Sequence, residues 1–182
     1  MRRAAAAGLS PLILMGVCWL SGCGGRQQPL ASTRLDSLSE ILETGEGLAI
    51  DPQESTDGGG SLCIEAKEPR IVRLLEVPVQ ELPGREIVCA IRMKSLVLRG
   101  FAFPEIWVRV PGRDEFTARG TETAIQRSAD WQDVIAVLTL PEGAQPDRIR
   151  VNLAVEGRGR VWADDVRVTV GPAGSAPRLQ QP

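Results

Sequence analysis

Histidine and tyrosine are both absent from this sequence, and three Phe and four Trp are its whole aromatic content. Without imidazole there is no Ser-His-Asp triad, no His-ligated zinc and no haem-ligating His. Clusters of basic residues are also missing, with 21 Lys and Arg set against 23 Asp and Glu over 182 residues. Phosphate backbones are bound by such clusters, so nucleic acid is excluded as a partner. The one glycine triplet, Gly58-Gly59-Gly60, lacks the Lys and following helix of a phosphate loop and reads as a turn. Strand-helix alternation is absent too, which argues against a parallel α/β sheet.

What is present begins with a targeting segment. Met1, Arg2 and Arg3 precede an apolar or small-residue stretch from Ala4 to Leu20, the form of a secretory signal. The run is short for the ~20 residues of a spanning helix. It ends in Leu20-Ser21-Gly22-Cys23, which resembles the lipobox of bacterial lipoproteins. That resemblance implies cleavage before Cys23 and acylation of Cys23, with several chains anchoring the protein firmly to a membrane. Removal of residues 1–22 leaves 19 basic against 23 acidic side chains, a net charge of −4. No Asp follows Cys23, so the expected location is the cell envelope, with the outer membrane favoured where the organism has one.

Cys18 leaves with the signal, so Cys63 and Cys89 are the cysteines of the folded body. An oxidising compartment permits a disulfide between them. Alternation places Cys63 opposite in facing to the core-directed Leu62 and Ile64, whereas Cys89 shares a face with Ile87, Ile91 and Met93. Opposite faces disfavour the bond, and the reading is of two small strand residues.

Period-two alternation and short apolar runs bounded by Gly and Pro dominate the rest, recurring at roughly ten-residue intervals as in sandwiches. Eight strands are expected, at 47–51, 61–67, 70–77, 86–94, 101–110, 131–140, 147–155 and 161–170. The fold class is therefore all-β, an antiparallel sandwich. One short helix is expected over Asp36 to Glu43, capped by Asp36. Residues 23–46 read as the lipidated Cys, a flexible tether and a lead-in, 47–170 as the sandwich, and 171–182 as a disordered tail. Along 147–155, Ile149, Val151, Leu153 and Val155 face the core, and Arg148, Arg150 and Asn152 face water. In 101–110, Ile106, Val108 and Val110 turn inward, leaving Glu105, Trp107 and Arg109 outside. The segment 134–138 is apolar at every position and reads as a central strand covered on both sides.

Taken in order, Ala129-Asp130-Trp131, Leu140-Pro141-Glu142-Gly143, Glu156-Gly157-Arg158-Gly159 and the run Val161 to Val168 are a recognisable series. Together with Gly60-Ser61-Leu62 and the strand from Ile87 to Lys94, it resembles carbohydrate-binding modules of the family 4/9/22 type. These belong to the galactose-binding-like β-jelly-roll group, and the resemblance covers about residues 47–170. It implies a non-catalytic jelly roll that recognises a polysaccharide or glycan. The family's aromatic opening of the strand at position 87 is here Ile87.

On that reading Trp131 and Trp162 are structural, and Trp107 is the residue that stacks on a sugar ring. Arg92, Lys94 and Arg109 are the neighbouring donors to hydroxyls or carboxylates. The plainer alternative is a Trp107 covered by a loop and arginines paired with Glu105 and its neighbours. The resemblance also implies a structural Ca²⁺ held by Asp164 and Asp165 with an early-loop oxygen, from Asp57 or alternatively Asp51 or Glu54. Adjacent Asp164 and Asp165 point to opposite faces and cannot form a glycosidase dyad, so no enzyme is expected. Two functions stay open: a membrane-anchored glycan-binding module, and a structural lipoprotein that docks on an envelope protein.

Overall fold

The computed structural model describes residues 26–177, and within them the fold is all-β and antiparallel. Eight strands follow in chain order: β1 Gln28–Thr33, β2 Leu48–Asp51, β3 Ser61–Ala66, β4 Arg70–Pro78, β5 Glu86–Arg109, β6 Phe116–Arg119, β7 Ile125–Thr139 and β8 Arg148–Gly171. Their number matches the sequence expectation, and β2, β3 and β4 match it to within a residue, but the other boundaries do not. The segments 86–94 and 101–110 are one 24-residue strand, and 147–155 and 161–170 are another. These two strands pair along their whole length, from Glu86 with Gly171 to Arg109 with Arg148.

This long ribbon carries both halves of the molecule. In the first half, the C-terminal part of β8 pairs with β1 and β3, β3 pairs with β2, and the N-terminal part of β5 pairs with β7. In the second half, the N-terminal part of β8 pairs with β4 and the C-terminal part of β5 with β6. The register slips between Leu96 and Arg99, where the ribbon bends. Gly100 and Gly157 are register partners at the bend, both at positive φ. The inward faces of both halves contribute to a single core, with Ile87, Cys89, Ile91 and Met93 from one and Ile106, Val108, Val151 and Leu153 from the other. The eight described strands and this core lie within residues 26–177, which thus carry a hydrophobic core of their own.

Several expectations are corrected. Strand β1 lies inside the stretch read as a tether, because Leu30 and Ala31 pack on the core while the backbone pairs with β8. The expected helix is a single 3₁₀ turn, Leu38–Glu40, and its cap is Ser37, whose Oγ accepts from the Ser39 N–H, not Asp36. Two turns are too few to sustain an α-helix without strong packing. Part of the expected tail is ordered: the Gly174 and Ala176 N–H groups donate to the Glu86 carboxylate at 2.9 and 2.5 Å. Strand β7 pairs with β5 alone and is an edge strand, so the apolar run 134–138 is only half covered, with Ile135 and Val137 partly exposed.

Both body cysteines are free and buried. Burial in apolar surroundings pushes the Cys89 thiol up to about 12 and the Cys63 thiol up to about 11. Cys18 and Cys23 lie outside the described residues. No helix among the described residues is long and apolar enough to cross a membrane.

Candidate functional site

The two halves present very different outer faces. On the first half, residues 51–57 and 61 fold over the sheet. Trp162, 4% exposed, donates from Nε1 to Asp51 Oδ2 at 3.0 Å. Thr56 donates its N–H and its hydroxyl to Asp164 Oδ2 at 2.8 and 2.6 Å, and Ser61 Oγ donates to the Glu54 carbonyl at 2.7 Å. Lys94 is held here as well, 2.8 Å from Glu54 and 5.8 Å from the centre of the Trp162 ring. Arg92 lies 4.0 Å from Asp133, which also pairs with Arg167 at 2.9 Å. This face is closed by its own loop.

The second half presents a more open face, in which Phe103, Glu105, Asn152 and Ala154 are buried and the residues around them are half-buried or exposed. Residues directly opposite in antiparallel strands share a face, so the register defines its rows. The first row is Ile71, Ala154 and Phe103; the second is Arg73, Asn152, Glu105 and Arg119. The third is Glu76, Arg150, Trp107 and Thr117, and the fourth is Pro78, Arg148 and Arg109. Trp107 is half-buried and donates from Nε1 to Glu105 Oε2 at 3.3 Å. The other Glu105 oxygen accepts from Arg119 Nε at 3.1 Å. Arg119 also pairs with Glu156 and lies over the Phe103 ring, 4.7 Å from its centre. Arg148 and Arg150 share Glu76, each at 3.3 Å. Arg109 Nε donates to Asp147 at 2.8 Å, and that hydrogen bond holds the Asp147 carboxyl below the usual range.

At the floor of this face lies an unbalanced group. Asn152 is 4% exposed, although it occupies a position that alternation assigns to water, and its buried Oδ1 accepts no hydrogen bond. An unmet buried acceptor costs free energy. Beside it, Glu105, Ala154, Ile71, Arg119 and Glu156 line a hollow of about 380 Å³.

The four predicted ligand residues therefore divide. Trp107 and Arg109 lie on the open face, whereas Arg92 and Lys94 lie on the closed one, beyond the bend at Gly100. Alternation gave all four the correct side of their strands but not the bend that separates them. Asn152, Glu105 and Arg150 are additions from the structure. Their outward positions were readable, and the missing information was the register that sets them beside Trp107. Trp162 is buried, as its structural reading requires, while Trp131 is half-exposed.

The trio expected to hold calcium divides: Asp57 and Asp164 both lie near Asp36, whereas Asp165 turns away. Asp57 pairs with Arg34 at 3.3 Å, Asp165 turns to Arg167 at 3.2 Å, and Thr56 takes one oxygen of Asp164. No group of three or more Asp, Glu, Cys or His stands in a metal-holding arrangement among the described residues. Asp164 Oδ1 and Asp36 Oδ1 are nonetheless buried without partners. Desolvation, then the nearby charges of Asp57, Glu40 and Asp164, push the Asp36 carboxyl above its ordinary value. Two such oxygens fall short of the six to eight that Ca²⁺ takes, so no calcium site is assigned.

With this geometry in hand, the class is defined by the fold: the chain has the antiparallel β-sandwich jelly roll of carbohydrate-binding modules. Similar solved structures include the CBM22-1 xylan-binding domain of Paenibacillus barcinonensis Xyn10C, with TM-score 0.56 and 13% identity, matched over 82% of this chain and 98% of that one. The C-terminal family 22 module of Clostridium thermocellum Xyn10B gives TM-score 0.53 and 11% identity, over 82% and 96% of the two chains. A family 16 carbohydrate-binding module gives 0.51 and 11%, over 70% and 89%. No family model and no curated protein matches the sequence.

Proposed function

We propose that this protein is a non-catalytic glycan-binding module, tethered to the membrane of the cell envelope through lipid on Cys23, that binds polysaccharide on the open face of β4, β8, β5 and β6. One observation carries the reading: the half-exposed Trp107 ring lies beside a buried amide, Asn152, whose acceptor is unmet, on the outer face that no described loop closes. An indole surface with convergent polar groups is what a sugar ring requires, through stacking on its C–H face and hydrogen bonds to its hydroxyls. The likeness to carbohydrate-binding modules supports this reading through the fold.

Binding without turnover fits the carboxylates of the face. Glu105 accepts from Trp107 and Arg119, Glu76 accepts from Arg150 and pairs with Arg148, and Asp147 accepts from Arg109. A glycosidase acid has its pKa raised, whereas Asp147 is held low. The scarcity of aromatic side chains, 4% of the sequence, favours a second reading in which the same face docks on an envelope protein.

Tryptophan fluorescence of the 26–182 chain, titrated with neutral and acidic polysaccharides, separates the two. Glycan binding predicts a saturable change that Trp107→Ala abolishes and Asn152→Ala weakens about tenfold. No response to any polysaccharide from a chain shown folded by circular dichroism overturns it in favour of protein docking. Mass spectrometry of Cys23 in the full chain tests the anchor, and an unmodified Cys23 removes it.

A further inference from the structure

Of the five large apolar side chains exposed in the described residues, three lie within six positions at the bend of β5: Leu96 at 48%, Val97 at 61% and Phe101 at 48%. Basic side chains surround them. Arg99 and Arg158 are register partners across the β5–β8 ladder, so they stand side by side on one face. Like charges directly opposite in a sheet repel. Neighbouring charges at the bend are neutralised, Arg160 by Glu65 and Glu156 by Arg119, but Arg99 and Arg158 have no carboxylate partner among the described residues. Arg127, paired in register with Leu98, is exposed and equally without one.

Backbone strain marks the same place. Val97 has φ 52° and Arg127 φ 60°. Positive φ at a β-branched residue is a true outlier, and it persists only where the surroundings enforce it. Here the Val97 N–H donates to Ser128 Oγ at 3.0 Å, and the strained turn pushes its isopropyl group outward.

We propose that this bend is a docking site for an anionic lipid bilayer, with Leu96, Val97 and Phe101 entering the interface and Arg99, Arg127 and Arg158 binding headgroup phosphates. The charge pattern selects this occupant. An anionic membrane surface offers phosphates above hydrocarbon and so complements the arginines and the apolar trio together. The site adjoins the open face, since Glu156, opposite Phe101, also lines the hollow there, but it requires no glycan.

Cosedimentation of the 26–182 chain with phosphatidylglycerol/phosphatidylcholine vesicles tests it, against vesicles of phosphatidylcholine alone. Binding to the anionic vesicles that weakens with added salt is expected. Arg99→Ser and Arg158→Ser each lower the affinity about fivefold, and Phe101→Ser lowers it about tenfold. Val97→Asn weakens binding without loss of fold, because Asn tolerates positive φ. Leu42→Ser, at a residue equally exposed but far along the chain from the bend, leaves binding unchanged. The proposal is overturned if wild type does not cosediment with anionic vesicles, or if the Arg99 and Phe101 variants bind as well as wild type. Binding to soluble polygalacturonate through Arg99 and Arg158, with none to vesicles, assigns the arginines to a polyanionic glycan and equally overturns it.

Discussion

Gly100 and Gly157 meet so closely that a Cβ on the first would lie 2.0 Å from the Glu156 carbonyl oxygen, and one on the second 2.1 Å from that of Arg99. Both obstacles are backbone atoms, so no side-chain rearrangement makes room. Gly157→Ala is expected to lower stability by about 3 kcal/mol or more, through this clash and through the positive φ of 158°. Urea unfolding of the variant checks this, and a midpoint equal to that of wild type contradicts it.

The thiols of the folded body are shielded. Cys89 is fully buried with its thiol pushed up to about 12, and Cys63 is 8% exposed with its thiol near 11. Thiolate is the reactive form, so at pH 8 the native 26–182 chain is expected to react with a disulfide reagent only as fast as it unfolds. Two thiols per chain appear in denaturant. Fast labelling of either under native conditions counts against the packing described.

Asp36 opposes folding as pH rises. Its folded carboxyl titrates above the ordinary 3.8, so the native state holds the proton longer than the unfolded chain. Stability from this group is present in acid and is lost as pH rises through the folded value. Asp36→Asn is therefore expected to be more stable than wild type at pH 7, with the two converging below about pH 4. Thermal melts across pH 3 to 8 measure the difference, and an Asn variant less stable at pH 7 would falsify the account.

Glu86 behaves in the opposite sense. Burial raises its carboxyl, but the N–H groups of Gly174 and Ala176 and the Thr139 hydroxyl outweigh that effect and hold it below the ordinary 4.5. Its contribution is present above that value and is lost as pH falls through the lowered one. Glu86→Gln is expected to cost about 2 kcal/mol at pH 7, from charge-assisted bonds made weaker. The gap from wild type narrows in acid, and protease cleavage after Pro172 becomes faster. An unchanged cleavage rate contradicts the docking of residues 174–176.

Alternation found the core side of the strands but not how far the other side is covered, since Glu105 and Asn152, both assigned to water, are buried. It placed Ile149, Val151, Leu153 and Val155 in the core and Trp107 outside, and all five positions hold. Continuity was beyond it. The bulged, glycine-bearing stretch from Leu96 to Gly100 reads as a break between two strands, yet the ladder runs through it because β8 bends in register at Gly157. Strand β6 was invisible, since Phe116 to Arg119 is too short to show a period. Strand β1 was hidden by its Gln, Pro and Ser content, and its pairing to β8 comes from the tertiary fold. The site was half readable: Trp107 and Asn152 were each placed on an outer face, but only the register of β5 with β8 sets them in adjacent rows.

Strand β8 hydrogen-bonds to β1, β3, β4 and β5, and it is the last strand of the described chain. Its partners all precede it, the farthest being Gln28 opposite Val170. During synthesis β2 with β3, and β5 with β6 and β7, have partners before β8 emerges, but β1 and β4 have none and the β8 side of β3 and β5 stays open. Closure waits until Gly171 has emerged, so native structure is acquired after translation of the body rather than progressively with it.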